Sequence, residues 1–91
     1  MSDVDSFNTK EGHTSSYDSV EFLGTTNERF NYFVGSLGRL EYRKGIGAFF
    51  DTLKKYLYTS AVTDVELQED SEYVYITLRT LNSVYRFRAR N

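Results

Sequence analysis

The side chains best suited to chemistry in this sequence are tyrosines and arginines near its C-terminus. Tyr73 and Tyr75 alternate with apolar residues, and Arg86, Arg88 and Arg90 alternate in the same way further along. Alternation places each set on one face of a β-strand, so neighbouring strands would present aromatic rings beside guanidinium groups. Such a surface can stack the bases of single-stranded RNA or DNA. The alternative is an ordinary sheet face stabilised by cation–π contacts.

A second candidate site is acidic. Its five carboxylates lie within nine residues, at Asp64, Glu66, Glu69, Asp70 and Glu72. They could dock on a basic partner or mimic nucleic-acid phosphates. The alternative is a solvated turn. The segment lacks the ligand spacing of a calcium-binding loop.

The sequence offers no residue set for catalysis or metal binding. His13 is the only histidine and the chain contains no cysteine. Thiolate zinc sites, cysteine nucleophiles and a paired nucleophile and base are therefore excluded or unsupported. The segment from Gly35 to Gly38 has the G-x-x-G form of a KH-domain loop, but the sequence favours a plain helix stop and turn. We expect a protein that is not an enzyme and binds no cofactor.

Three alternating segments would position the tyrosines, arginines and acids. They are Val62–Gln68, Tyr73–Arg79 and Val84–Arg90. A register that pairs Gln68 with Tyr73 and Arg79 with Val84 separates one apolar face from one polar face, which predicts an antiparallel meander. The polar face then has three rows across the strands: Glu66–Tyr75–Arg88, Gln68–Tyr73–Arg90 and Asp64–Thr77–Arg86.

Residues 45–58 predict an amphipathic helix that covers this sheet. Its apolar stripe consists of Ile46, Phe49, Phe50, Leu53 and Leu57. These positions have helical spacing, and Asp51 and Lys55 form a favourable pair four residues apart.

Residues 19–44 allow two interpretations. Thr25 followed by Glu28 matches a capping box, which favours a helix from about Thr26 to Ser36, then an extended segment near Arg39–Tyr42. The alternative is a hairpin that turns at residues 35–38.

Residues 1–19 are polar, show no apolar period and predict a disordered tail. The expected fold is therefore α+β: a disordered N-terminal tail at 1–19, then a single small domain at 20–91. In that domain one or two helices pack on the three-stranded antiparallel meander.

Composition limits the function classes. The net charge is −2, which gives no bulk attraction to nucleic acid or acidic lipid. The charge is uneven, since residues 1–21 hold five acids and one lysine, and the remainder holds ten basic and eight acidic residues. The first twenty residues lack the apolar run of a signal peptide, and no stretch is apolar enough to span a bilayer, so we expect a cytoplasmic protein.

We expect a protein-interaction module, a small regulator or inhibitor that docks on a larger macromolecule, with a protein as its partner. Short, acidic, cysteine-free domains are common among inhibitors encoded by mobile elements and viruses. One alternative is a single-stranded nucleic-acid-binding domain that uses the Tyr/Arg face. Another is an assembly subunit that self-associates through an edge strand.

Overall fold

The structure is a computed structural model that describes residues 14–91. Seven strands form one antiparallel sheet in the order β4-β3-β2-β1-β7-β6-β5. The strands are β1 (Thr14–Thr25), β2 (Leu37–Arg43), β3 (Gly47–Asp51), β4 (Tyr56–Tyr58), β5 (Val62–Glu69), β6 (Tyr73–Thr80) and β7 (Val84–Arg90). Within 14–91 the only helical element is a 3₁₀ helix, Glu28–Phe33. The predicted α+β fold is therefore wrong, and the protein is nearly all β.

One face of the sheet is buried and forms the core. The largest fully buried side chains are Phe22, Phe33, Phe50, Phe87, Leu40, Ile76, Leu78, Val20 and Val62. Four of the phenylalanine rings make neighbouring contacts, with centroids 5.2–5.9 Å apart. The 3₁₀ helix contributes Phe33 to this group.

The sheet is curved, and it curves over its own apolar face. Lys44, in the turn between β2 and β3, forms an isolated bridge to Val62 at the start of β5. The amide of Gly45 in the same turn donates to the carbonyl oxygen of Val62 at 2.8 Å. These contacts bring the two halves of the sheet together at one end.

The helix predicted over residues 45–58 is wrong, because the segment is the β3–β4 hairpin. Gly45 has φ +88°, a left-handed conformation that suits the turn and does not start a helix. Phe50 is buried, while Phe49 points to the opposite face of β3, as period-2 alternation requires. Leu53 lies at the tip of the hairpin and is 97% exposed.

Short-range side-chain bonds replace the predicted helical pair in this hairpin. The carboxylate of Asp51 accepts from the amide of Leu53 at 3.0 Å. The hydroxyl of Thr52 donates to the carbonyl oxygen of Lys55 and accepts from its amide, at 3.0 and 3.2 Å. Asp and Thr side chains that bond the nearby backbone compete with helix in this way.

The helix predicted from about Thr26 to Ser36 is reduced to the 3₁₀ helix Glu28–Phe33. Its N-cap is Asn27, whose side-chain oxygen accepts from the amide of Arg29 at 3.1 Å. The hydroxyl of Thr25, the predicted cap, instead accepts from the amide of Asn27 at 3.0 Å. The extended segment expected near Arg39–Tyr42 lies in β2.

β1 takes in part of the predicted tail. The strand begins at Thr14 and pairs with both β2 and β7, so residues 14–19 belong to the sheet. The remainder of the predicted tail, residues 1–13, lies outside the described residues. The pairing of β1 with β2 shifts between Tyr17 and Val20, and this irregularity interrupts the alternation that would have indicated a strand.

The three strands expected over residues 62–90 are present as β5, β6 and β7, inside the larger sheet. β6 and β7 have the expected register, with Arg79 opposite Val84. β5 is displaced by two residues, so that Gln68 faces Tyr75 instead of Tyr73. A shift of two residues leaves the side chains from Asp64 to Gln68 on their expected faces.

Candidate functional site

The predicted Tyr/Arg face lies on β6 and β7, on the side of the sheet opposite the core. The rings of Tyr73 and Tyr75 are neighbours, with centroids 6.0 Å apart. The Arg88 guanidinium lies 4.3 Å from the Tyr73 ring centroid, and that of Arg90 lies 5.4 Å away. Arg86 is exposed and pairs in register with Thr77. The structure therefore brings the predicted tyrosines and two of the arginines into contact.

Arg88 is held by a partner that sequence analysis missed. Its Nε and Nη2 atoms each lie 2.9 Å from Oε1 of Glu21, which stands opposite it on β1. The hydrogen bond with Glu21 raises the pKa of Arg88 above its ordinary value. Because β1 was not predicted at this position, the pair could not be predicted either. The arrangement ties β1, β7 and β6 together across the outer face.

The acidic candidate residues do not form one cluster. Asp64, Glu66 and Glu69 lie on β5, and Asp70 and Glu72 lie in the turn that follows. One of them has a basic neighbour on the adjacent strand, since Oε1 of Glu66 lies 3.5 Å from Nη2 of Arg79 on β6. The five acids therefore follow an edge of the sheet.

Asp70 shapes the β5–β6 turn. Its Oδ1 atom accepts from the amides of Glu72 and Tyr73, both at 2.8 Å. These backbone hydrogen bonds hold the pKa of Asp70 below its ordinary value. This carboxylate has a local structural role.

Among residues 14–91, no group of three or more His, Cys, Asp and Glu could hold a metal ion. In the same range, no helix is long and apolar enough to cross a membrane.

Exposed apolar side chains are concentrated in the other half of the sheet. Of the nine large hydrophobic residues that are most exposed, seven lie between residues 32 and 58. They are Tyr32, Val34, Leu37, Ile46, Leu53, Tyr56 and Tyr58. Exposed apolar surface commonly marks an interaction site where it is contiguous.

The centre of this surface is a group of three rings, Phe49, Tyr56 and Tyr58, which we call the aromatic edge. Tyr58 lies 4.7 Å from Phe49, and Tyr56 lies 5.8 Å from each of the other two, between ring centroids. Tyr56 and Tyr58 are 62% and 66% exposed. Strand alternation explains the group, because Phe50 and Leu57 between these rings point into the core.

A shallow groove of about 240 Å³ adjoins the aromatic edge. Ile46, Phe49 and Tyr58 line it, together with Thr59 and the backbone of Gly47. The groove widens the apolar surface toward the turn between β2 and β3.

Lys55 connects the aromatic edge to the 3₁₀ helix. Its ammonium lies 4.6 Å from the ring centroid of Tyr32 and 4.8 Å from that of Phe33. It also donates to the carbonyl oxygen of Tyr32 at 3.3 Å. Cation–π contact of this kind fixes the β3–β4 loop beside the 3₁₀ helix.

Sequence analysis missed the aromatic edge because the predicted helical stripe included Phe49 and did not include Tyr56 or Tyr58. No local signal indicated it, because Ala48, Phe49 and Phe50 are all apolar and fit a strand and a helix equally well. No protein-family model matches the chain, and neither do the curated proteins or the solved structures with which it was compared. The site is therefore argued from its geometry.

Proposed function

We propose that this chain is a non-enzymatic protein-interaction module, a small regulator or inhibitor that binds a larger protein through the aromatic edge. The observation that carries the proposal is the concentration of exposed apolar side chains around Phe49, Tyr56 and Tyr58. Tyrosine is enriched at the hot spots of protein interfaces, where a central apolar group is surrounded by polar residues. We expect the interaction to take place in the cytoplasm.

The charged residues around the aromatic edge indicate the charge that a partner surface would carry. Lys44, Lys54 and Lys55 flank β3 and β4. The nearby acids are Asp51 in the hairpin and Glu41, which stands opposite Phe49 on β2 and is paired with Arg39. A partner surface with an apolar centre and an acidic rim would complement this arrangement.

The nucleic-acid alternative receives less support. The guanidinium groups of Arg88 and Arg90 already lie against the ring of Tyr73. A base would have to displace them, and would also compete with the ion pair between Arg88 and Glu21. Base-stacking platforms require an accessible ring face.

A capture experiment with two matched double variants tests the proposal. The immobilised wild-type chain is incubated with native lysate, with and without nuclease, and retained proteins are identified by mass spectrometry. The first variant combines Tyr56→Ser with Tyr58→Ser and removes two rings of the aromatic edge. The second combines Tyr75→Ser with Arg88→Ser and alters the Tyr/Arg face by the same number of residues.

We expect a protein that the wild type and the second variant retain and the first variant loses, with or without nuclease. The loss should be at least about tenfold, because a hot-spot residue carries about 2 kcal/mol or more. Retention by the first variant and loss by the second would contradict the proposal. Loss on nuclease treatment would favour the nucleic-acid alternative, and the salt dependence of binding would then be steep.

A further inference from the structure

β4 forms one edge of the sheet, and hydrogen bonds define which of its backbone groups face β3. The amide of Thr52 donates to the carbonyl oxygen of Lys55, and the amide of Thr59 donates to that of Ala48, both at 2.9 Å. Hydrogen-bonded and non-bonded pairs alternate along antiparallel strands. By this alternation Leu57, which stands midway between the two bonded pairs, also turns its backbone groups toward β3.

The backbone groups of Tyr56 and Tyr58 consequently point away from β3. β4 has β3 as its only strand neighbour among the described residues. Its free side therefore presents two amides and two carbonyl oxygens as a template for a further strand. The exposed rings of the same two residues stand beside this template.

The sequence of the edge is symmetric. Tyr56-Leu57-Tyr58 reads the same in both directions. An antiparallel pairing centred on Leu57 places Tyr56 opposite Tyr58 of a second copy, and Tyr58 opposite Tyr56. Each of these two pairs can exchange two backbone hydrogen bonds, and the facing rings form aromatic cross-strand pairs.

The flanking residues are compatible with the same pairing. Lys55 would face Thr59 of the second copy, and Lys54 would face Ser60, so no like charges stand directly opposite each other. β5, at the other edge of the sheet, lacks this property. It carries Asp64 and Glu66, and its pairing with β6 is irregular between Val62 and Asp64.

We infer that a second copy of this chain covers the β4 edge of the free protein, through antiparallel pairing of the two β4 strands about Leu57. The inference rests on the proposed function, since it assigns a second occupant to the same aromatic edge. Self-association and the larger partner would then compete for Tyr56 and Tyr58. Because the interface is short, we expect a weak, concentration-dependent dimer.

Sedimentation equilibrium tests the inference. Between about 5 and about 500 µM, the average mass of the wild type should rise from 10.6 kDa toward twice that value. Tyr56→Lys combined with Tyr58→Lys places two lysines opposite each other in both pairs and should weaken self-association at least about tenfold. Tyr56→Lys combined with Tyr58→Glu places opposite charges in register and should restore it. Leu67→Lys, on the β5 edge, is the matched control and should self-associate like the wild type.

Backbone amide hydrogen exchange of the wild type provides the test that no substitution can confound. The amides of Tyr56 and Tyr58 should become protected as concentration rises, while the amide of Leu57 should be protected throughout. A wild type that stays monomeric, or self-association that both double-lysine and control variants retain, would overturn the inference. Exchange at Tyr56 and Tyr58 that is independent of concentration would overturn it as well. None of these results bears on capture of the larger partner, so the two proposals fail separately.

Discussion

Leu53 occupies a backbone conformation that leucine rarely adopts. Its φ is +80° at the tip of the β3–β4 hairpin, and its side chain is 97% exposed. The left-handed region costs a residue with a Cβ atom about 1–2 kcal/mol. The side chain therefore gains little from packing to offset its unfavourable backbone.

Replacing Leu53 by glycine should stabilise the protein. Glycine adopts the left-handed conformation without strain, and this outweighs its extra conformational freedom in the unfolded chain. The free energy of unfolding should therefore rise by about 0.5–1 kcal/mol. A urea titration would show this as a higher midpoint. Lys54→Gly, at the adjacent position without a positive φ, is the control and should give no gain. A lower midpoint for Leu53→Gly would show that the leucine contributes a contact of its own.

The carboxylate of Asp70 should make stability depend on acid pH. Its pKa lies below the ordinary 3.8, first through the hydrogen bond from the Glu72 amide and then through that from Tyr73. Folding therefore favours the ionised carboxylate. Its stabilisation of the folded state is fully present above the pKa of Asp70 in the unfolded chain, and it is lost as the pH falls through the pKa in the folded protein. Urea midpoints of the wild type and of Asp70→Ala, measured at pH values above and below the pKa of Asp70, give the size of this stabilisation. Parallel pH profiles for the two proteins would contradict this assignment.

Phe49 and Phe50 distinguish a strand from a helix. On a strand they point to opposite faces, and only Phe50 is fully buried. Phe50→Ala should lower the free energy of unfolding by about 3–5 kcal/mol. Phe49→Ala should cost much less, because its ring lies on the outer face. Equal losses in denaturant titration would be inconsistent with the β3–β4 hairpin.

The strands that sequence analysis could predict are those with unbroken alternation. β6 and β7 keep a period of two throughout, and their register follows from it. β1 could not be found, because its pairing shifts between Tyr17 and Val20 and again between Phe22 and Gly24. Each irregularity changes the spacing of inward-facing residues, so the pattern of a strand is lost.

The β3–β4 hairpin was missed for a different reason. Ile46, Phe50 and Leu57 have helical spacing by coincidence, and short apolar runs fit both periods. Long-range pairing with β2 decides between a strand and a helix for this segment, and a short stretch of sequence does not reveal that pairing. The aromatic edge depends on this hairpin, so it could not be located before the sheet was known.

At the scale of the whole molecule, β1 is the strand that joins the two halves of the sheet. It pairs with β2 on one side and β7 on the other. Residues 14–17 of β1 pair with Arg43 to Leu40 of β2. Truncation within β1 should therefore destabilise the protein, although the sequence alone predicts that residues 1–19 form a disordered tail.

Two truncations measure this contribution. Removal of residues 1–19 should lower the melting temperature by about 10 °C or more relative to removal of residues 1–13, because β2 loses its neighbour on the β1 side from Leu40 to Arg43. Calorimetry or circular dichroism would provide the comparison. Equal melting temperatures would show that residues 14–19 add nothing to the sheet.

The two halves of the outer surface differ in their exposed aromatic rings, although both carry ion pairs or cation–π contacts, such as Arg39 with Glu41 on β2 and Lys55 with Tyr32. The half formed by β5, β6 and β7 carries ion pairs and cation–π contacts, such as Arg88 with Glu21 and Tyr73. The half formed by β2, β3 and β4 carries the aromatic edge. Polar pairs satisfied within the chain have little to gain from a partner, whereas exposed rings gain from being removed from water.

The measurement that tests this account most directly is photo-crosslinking in cells. A benzoylphenylalanine is introduced in place of Tyr58 in one variant and in place of Tyr75 in another. We predict that the probe at position 58 becomes joined to protein, whether a larger partner or a second copy, and that the probe at position 75 does not. Adducts formed only from position 75, or formed only with nucleic acid, would contradict the assignment of the aromatic edge as the binding surface.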